Sequence, residues 1–378
     1  MSYAQERERF HELDALRGLA AVVVVLTHYH DLLFPKSERL LMSHVKLGLL
    51  YLAAPFYSGQ SAVVLFFVLS GFVLALPFLT GKEQAYPVFA LRRIARIYLP
   101  YLAALAIAVC GNIVFQGRLV QGVWPAPPWS NLPTVGLVLQ HILFIGSYNP
   151  LKINTVFWTL VIEMRVSLVF PFLARAALRV GLLAETLFLF VAIGVMAELC
   201  IRDQSSDLYT TLRFGCCFLV GIQLARTRLQ IAAWYAGLSP IARLALAGVT
   251  FCCFGYAIAT RTPRPIIECF CLAGAIGCIV LSLQPGRWRE FLRGRVPQYL
   301  GQISYSMYLV HIPVLFTCFA LIGRSVSRPV ILMVYLPSVL LVSTGFHYAI
   351  EGPCLRLSRR VGRLSLPTER EAEVLETR

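Results

Sequence analysis

The chain has 378 residues, of which 58% are hydrophobic and 14% charged, with a mean hydropathy of +0.70. That is too little polar surface to cover a soluble domain of this size, so a soluble globular fold is excluded and a bilayer must supply part of the solvent. The net charge of +15 does not point to nucleic acid, because the basic residues are scattered at the ends of apolar segments instead of forming one stripe.

In chain order, apolar runs and their punctuation predict about ten membrane spans, over 12–33, 61–79, 97–115, 156–174, 182–201, 210–225, 241–259, 266–284, 300–322 and 330–351. The fold class expected is therefore all-α, a polytopic helix bundle in a lipid bilayer. The first run ends in Thr27-His28-Tyr29-His30 with no small-residue cleavage pattern, which argues against a signal peptide. The stretch Thr134 to Ile145 is apolar but short and lies between Pro-, Gly- and Trp-rich pieces, so it reads as re-entrant or interfacial. A transmembrane domain over 1–355 is expected, followed by a basic, charged, disordered tail over 356–378. With the N-terminus in the cytoplasm, Lys and Arg fall about two to one on the cytoplasmic side, which places both termini there. No inverted hydropathy symmetry of the transporter kind is visible.

Cysteines and metal ligands add little. Nearly all of the 11 cysteines lie inside apolar runs, as in Cys216-Cys217 and Cys252-Cys253, and read as small hydrophobes. No pair of Cys-x-x-Cys or His-x-x-His elements converges, so no metal is expected.

Ionisable groups within spans are costly and usually functional. Arg17 and His28 are eleven residues apart, which on a helix is three turns plus about 20°, so they share a face with roughly 16 Å of rise between them. Asp14 precedes Arg17 by one turn and can pair with it. Arg17 alone could be a snorkelling topogenic arginine. His28, a neutral imidazole in a low-dielectric setting, is a candidate base, and a merely hydrogen-bonded helix histidine is the alternative. Arg93 and Arg96 form an i,i+3 fork suited to phosphate, although the positive-inside rule alone explains basic residues there. Glu163 lies within a span and nearly opposite Arg165, so its counter-charge must come from another helix.

In this order the residues resemble the membrane-bound acyltransferase family 3, bacterial O-acyltransferases of surface and secreted glycans. The resemblance is carried by Leu13-Asp14-Ala15-Leu16-Arg17-Gly18 with Thr27-His28, by Phe66-Phe67-Val68-Leu69-Ser70-Gly71, and by Arg92-Arg93-Ile94-Ala95-Arg96. Gln140-His141, the Trp158 to Pro171 span with Glu163, Arg213-Phe214, the run Ser304-Tyr305-Ser306-Met307-Tyr308-Leu309-Val310-His311, and Glu351-Gly352-Pro353 follow. It departs from the commoner pattern after Glu163, where Met164-Arg165 stand in place of a second Glu or Gln and an aromatic.

The resemblance implies a multi-pass protein of a bacterial inner membrane that moves an acyl group from cytoplasmic acyl-CoA, with acetyl-CoA expected. The acceptor is a sugar hydroxyl of a surface polysaccharide or glycolipid. His28 would act as base or as acyl carrier, Glu163 would orient or charge-balance it, and Arg17, Arg93 and Arg96 would anchor the donor's phosphates. A small secondary metabolite such as a macrolide sugar is the alternative acceptor, and a transporter or flippase the alternative class. Trp124, Trp129 and Tyr148 in the outer loops offer a sugar-stacking platform or interfacial anchors. Tyr305, Tyr308 and His311 read first as helix–helix hydrogen-bonding residues.

Overall fold

A computed structural model describes residues 10–33, 53–116, 129, 131–144, 153–202, 207–256, 264–323 and 325–363. Among them every regular element is helical. The first is α1 (His11–Leu33). It is followed by α2 (Gly59–Leu79), apolar on all sides and therefore central to the bundle. Next come α3 (Tyr86–Arg93) and α4 (Leu99–Phe115), which form one rod through a π-helical turn at Ile94–Tyr98. α5 (Val135–Leu143) is short, as its apolar stretch is, and its N-cap Thr134 accepts from Leu137 N–H.

The second half contains α6 (Phe157–Arg179), α7 (Leu182–Arg202), α8 (Asp207–Ala236), α9 (Pro240–Gly255) and α10 (Arg264–Leu283). The short α11 (Arg287–Leu292) leads to α12 (Arg295–Ile322). Last, α13 (Arg328–Phe346) passes through a second π-helical turn at His347–Glu351 into α14 (Gly352–Arg363). Seven of these helices or continuous rods are long and apolar enough to cross a membrane: Gly59–Leu79, Tyr86–Phe115, Phe157–Arg179, Asp207–Ala236, Pro265–Leu283, Arg295–Ile322 and Arg328–Gly362. The other three expected spans fall on α1, α7 and α9. Large apolar side chains such as Phe190 and Ile241, each 81% exposed, cover the outside of the bundle, as lipid contact requires and water would not favour.

The helices outrun their apolar cores. The third rod begins eleven residues before the expected 97, α8 continues past 225 to Ala236, and α14 carries the last rod through the expected boundary at 355 to Arg363. In each case the extra turns carry arginines, Arg92 and Arg93, Arg226 and Arg228, Arg356 to Arg360. Hydropathy marks what lies in hydrocarbon, and a helix continues wherever its backbone stays bonded. The rest of the expected disordered tail, 364–378, lies outside the described residues.

Both π-turns have the same local cause. Pro100 and Pro353 lack the N–H that would close a regular turn and would crowd the carbonyl four residues earlier. The preceding residue instead donates five residues back, Leu99 N–H to Ile94 O and Gly352 N–H to His347 O.

Packing decides which helices meet. α1 lies along α12 and α2 along α8, and α12 also touches α4 and α13. The α1–α12 crossing is close because Gly18 faces Gly301: a Cβ on either would run into the other helix's backbone. That contact fixes the register between the helix bearing Arg17 and His28 and the one bearing Tyr305, Tyr308 and His311.

Candidate active site

A cavity of about 680 Å³ opens among α1, α2, the α3–α4 rod, α6, α12 and the last rod, at the end of the bundle where Arg17 stands. Arg17, Arg93, Arg96 and Glu163 all line it, so four of the five residues singled out from sequence converge. Asp14 holds Arg17 at 3.9 Å across one turn, and the Arg93 guanidinium lies 5.6 Å from the Phe89 ring centroid. Glu163 accepts from Ser70 Oγ at 3.4 Å, and its cationic surroundings come from other helices, as its position opposite Arg165 requires. Arg165 itself turns away to Asp207 at 3.6 Å, and Arg213 is paired with Glu268.

The π-turns shape this cavity directly. Tyr305 on α12 donates to the carbonyl of Ile97 within the first turn at 2.8 Å, tying it to the α12 wall. In the second, His347 Nδ1 meets Glu351 Oε2 at 3.0 Å, Ser306 donates to the same oxygen, and Gln302 Nε2 lies 3.3 Å from His347 Nε2. Both His347 and Glu351 line the cavity.

His28 is not among the cavity's lining residues. The cavity ends at Tyr308, whose hydroxyl is 2.6 Å from Thr159 Oγ1 and whose ring sits edge-on to Phe66 at 5.7 Å. One turn beyond Tyr308 on α12 is His311, fully buried, and its Nε2 lies 3.4 Å from His28 Nδ1. The ring centroids run Tyr308 to His311 at 5.8 Å and His311 to His28 at 5.1 Å, so the half-buried His28 lies beyond the Tyr308 end of the cavity, next to His311.

The carbonyls settle the histidine tautomers. His28 Nδ1 lies 2.9 Å from Val24 O, and a carbonyl only accepts, so the hydrogen sits on Nδ1 and Nε2 keeps its lone pair. By the same reasoning His311 Nδ1, 3.1 Å from Met307 O, carries its hydrogen, and His311 Nε2 offers a lone pair toward His28 Nδ1–H. The neighbour in contact with the His28 ring is therefore His311 and not Glu163, which lines the cavity instead. The sequence signal of His311 was the ordered run ending Val310-His311, which gave no hint that it faces a residue 283 positions away.

Two expectations for the outer loops need restating. Trp129 is fully buried, its indole N–H donates to Ile153 O at 3.1 Å, and its ring packs on Phe115 and Phe316. A ring closed in this way cannot stack on a sugar or anchor at a headgroup; it staples loop to bundle. Trp124 and Tyr148 lie outside the described residues. Among the described residues no group of three His, Cys, Asp or Glu side chains is placed to hold a metal ion.

The profile of a protein family described as "Acyltransferase domain" matches residues 10–348. Acyltransferase MdmB of Streptomyces mycarofaciens is 25% identical over 389 residues, an alignment covering 93% of each chain. No solved structure matches the chain.

Proposed function

Since the chain belongs to the membrane-bound acyltransferase family 3, we propose that it transfers an acyl group, with acetyl as the first candidate, from acyl-CoA to a sugar hydroxyl of a surface polysaccharide or glycolipid. The observation that carries the reading is the His28–His311 pair, a lone-pair-bearing Nε2 held by two acceptors at Nδ1, next to a cavity lined by arginines.

The donor enters at the basic end of the bundle, cytoplasmic by the distribution of Lys and Arg in the inner membrane of a bacterium. Arg93 and Arg96 hold its phosphates, and the planar guanidinium forks suit that geometry better than ammonium groups would; Arg17, paired with Asp14, lines the cavity the arm enters. The arm passes toward Tyr308, and the Tyr308–Thr159 contact has to part for the thioester to reach His28. His28 Nε2 takes the proton of the acceptor hydroxyl as its oxygen attacks the thioester carbonyl. The C–S bond breaks, and the departing thiolate takes up that proton. Positioned base catalysis of this kind contributes about 10²–10⁴-fold in rate. His311 keeps the ring in its tautomer and shares the positive charge that forms on it, while Glu163 balances the cations of the cavity. No metal has a part in this scheme.

The test is acyl transfer from radiolabelled acetyl-CoA to cell-surface polysaccharide by the purified protein in lipid nanodiscs, with free CoA measured in parallel. His28→Ala should lower both by about 10²–10⁴-fold with an unchanged circular dichroism spectrum. Full activity in His28→Ala would remove the base, and radiolabel appearing only in water-soluble acetate would remove the sugar acceptor.

A further inference from the structure

A second cavity, of about 670 Å³, lies beside the first, between the Leu74–Thr80 end of α2, the following turn, α3, the arginine-bearing end of α8 and α14. Arg93 and Arg96 line both cavities, so a ligand held between them reaches into each. Resting on the acyl-CoA reading above, we propose that this second cavity seats the adenosine 3′,5′-diphosphate of the donor, and that the Arg17 cavity receives only the pantetheine arm and the thioester.

Charge separates the two spaces. Lys82, Arg92, Arg93, Arg96 and Arg228 face the second cavity against a single carboxylate, Glu83, which Arg175 already holds at 2.9 Å. The first cavity sets Arg17, Arg93, Arg96, Arg295 and Arg359 against three carboxylates, Asp14, Glu163 and Glu351. A pyrophosphate with a 3′-phosphomonoester carries roughly three to four negative charges at neutral pH. Such a group is favoured more where five cations face one carboxylate already paired than where five face three. A neutral amide-bearing arm has no such preference and fits the mixed lining.

The second cavity is also built. Arg92 is steadied by Gln84 Oε1 at 2.6 Å, and Ser358 of α14 donates to its carbonyl at 3.2 Å. Arg228 is braced on Ala225 O at 2.9 Å, at the end of α8. Phe78 and Phe89 line the same space, and the guanidinium groups of Arg175 and Arg93 lie over their rings at 5.9 Å and 5.6 Å, which steadies Arg93 at the cavity wall. Arg93 and Arg96 then stand at the junction of nucleotide and arm, where the pyrophosphate of the donor lies.

The experiment compares two donors that differ only in the nucleotide, acetyl-CoA and S-acetylpantetheine, on the full chain in nanodiscs. Replacing Arg228 by Gln removes a cation from the second cavity alone and should raise KM for acetyl-CoA about tenfold, the size expected for one charge-assisted hydrogen bond. The same variant should show no such rise with S-acetylpantetheine. Adenosine 3′,5′-diphosphate should bind the wild type in calorimetry and bind Arg228→Gln about tenfold more weakly. Equal KM changes with both donors, or unchanged nucleotide affinity, would overturn the placement. So would a variant whose only defect is a changed dependence on phosphatidylglycerol, since the occupant would then be a lipid headgroup. If the wild type turns over neither donor, the acyl-transfer reading fails by itself, and the calorimetry still decides where the nucleotide binds.

Discussion

His28 and His311 each bond the carbonyl one turn earlier on their own helix, and these two local bonds make the pair between them directional. A hydrophobic side chain at 311 would leave His28 Nδ1–H with Val24 O alone and the ring free to turn. His311→Leu is therefore expected to lower kcat about 10- to 100-fold while KM for acetyl-CoA holds, since an orienter acts on the proton transfer and not on donor binding. His311→Gln, whose amide oxygen can accept from Nδ1–H, should recover most of the loss. Steady-state kinetics with melting temperatures on both variants checks this; equal losses in Leu and Gln would mean that 311 only fills space. The residue scale is also where sequence reading went furthest. Arg17 and His28 are related by helical periodicity, and Arg93 and Arg96 by a fork, both local. The partner of His28 lies on a helix whose register is fixed by a glycine contact, and no local pattern carries that information.

At the scale of elements, all ten expected spans fall on helices, because a hydrocarbon-length apolar run has few alternatives to helix. Their ends and crossings were not legible, since arginine-rich turns extend them and small residues set how closely they approach. Gly18 against Gly301 is one such crossing and Gly71 against Phe218 of α8 another. Gly301→Ala should push α1 and α12 apart and cost about 1–3 kcal/mol as an overpacked contact. The expected readout is a melting temperature several degrees lower in detergent together with a fall in acyl transfer, because Arg17 and His28 would move against Tyr308 and His311. Gly345, where a Cβ would meet nothing within 4 Å, supplies the control, and Gly345→Ala should leave both unchanged. A Gly301→Ala protein that matches the wild type in both would show that the crossing tolerates the extra atom.

For the whole molecule, the cavities gather arginines at one end of the bundle, and in the proposed function the same residues hold the polyanionic donor and set the orientation of the chain by the positive-inside rule. Reporter fusions test this. A green fluorescent protein joined after Arg378 should fluoresce and an alkaline phosphatase joined there should stay inactive, and the reverse result would invert the donor's side. The two cavities were invisible in the sequence for a simple reason: Lys82, Arg228 and Ser358 are separated by more than a hundred residues at each step. The π-turns at Ile94–Tyr98 and His347–Glu351 carry a consequence of their own. Each inserts one residue's worth of angular offset into a long rod, so the half of the rod outside the turn and the half inside it are clocked independently. Removing any one residue from 94–98 would rotate Arg92 and Arg93 by about 100° relative to Tyr101. The guanidinium of Arg93 would then swing out of the wall the two cavities share and that of Arg92 out of the second cavity, with every helix still in place.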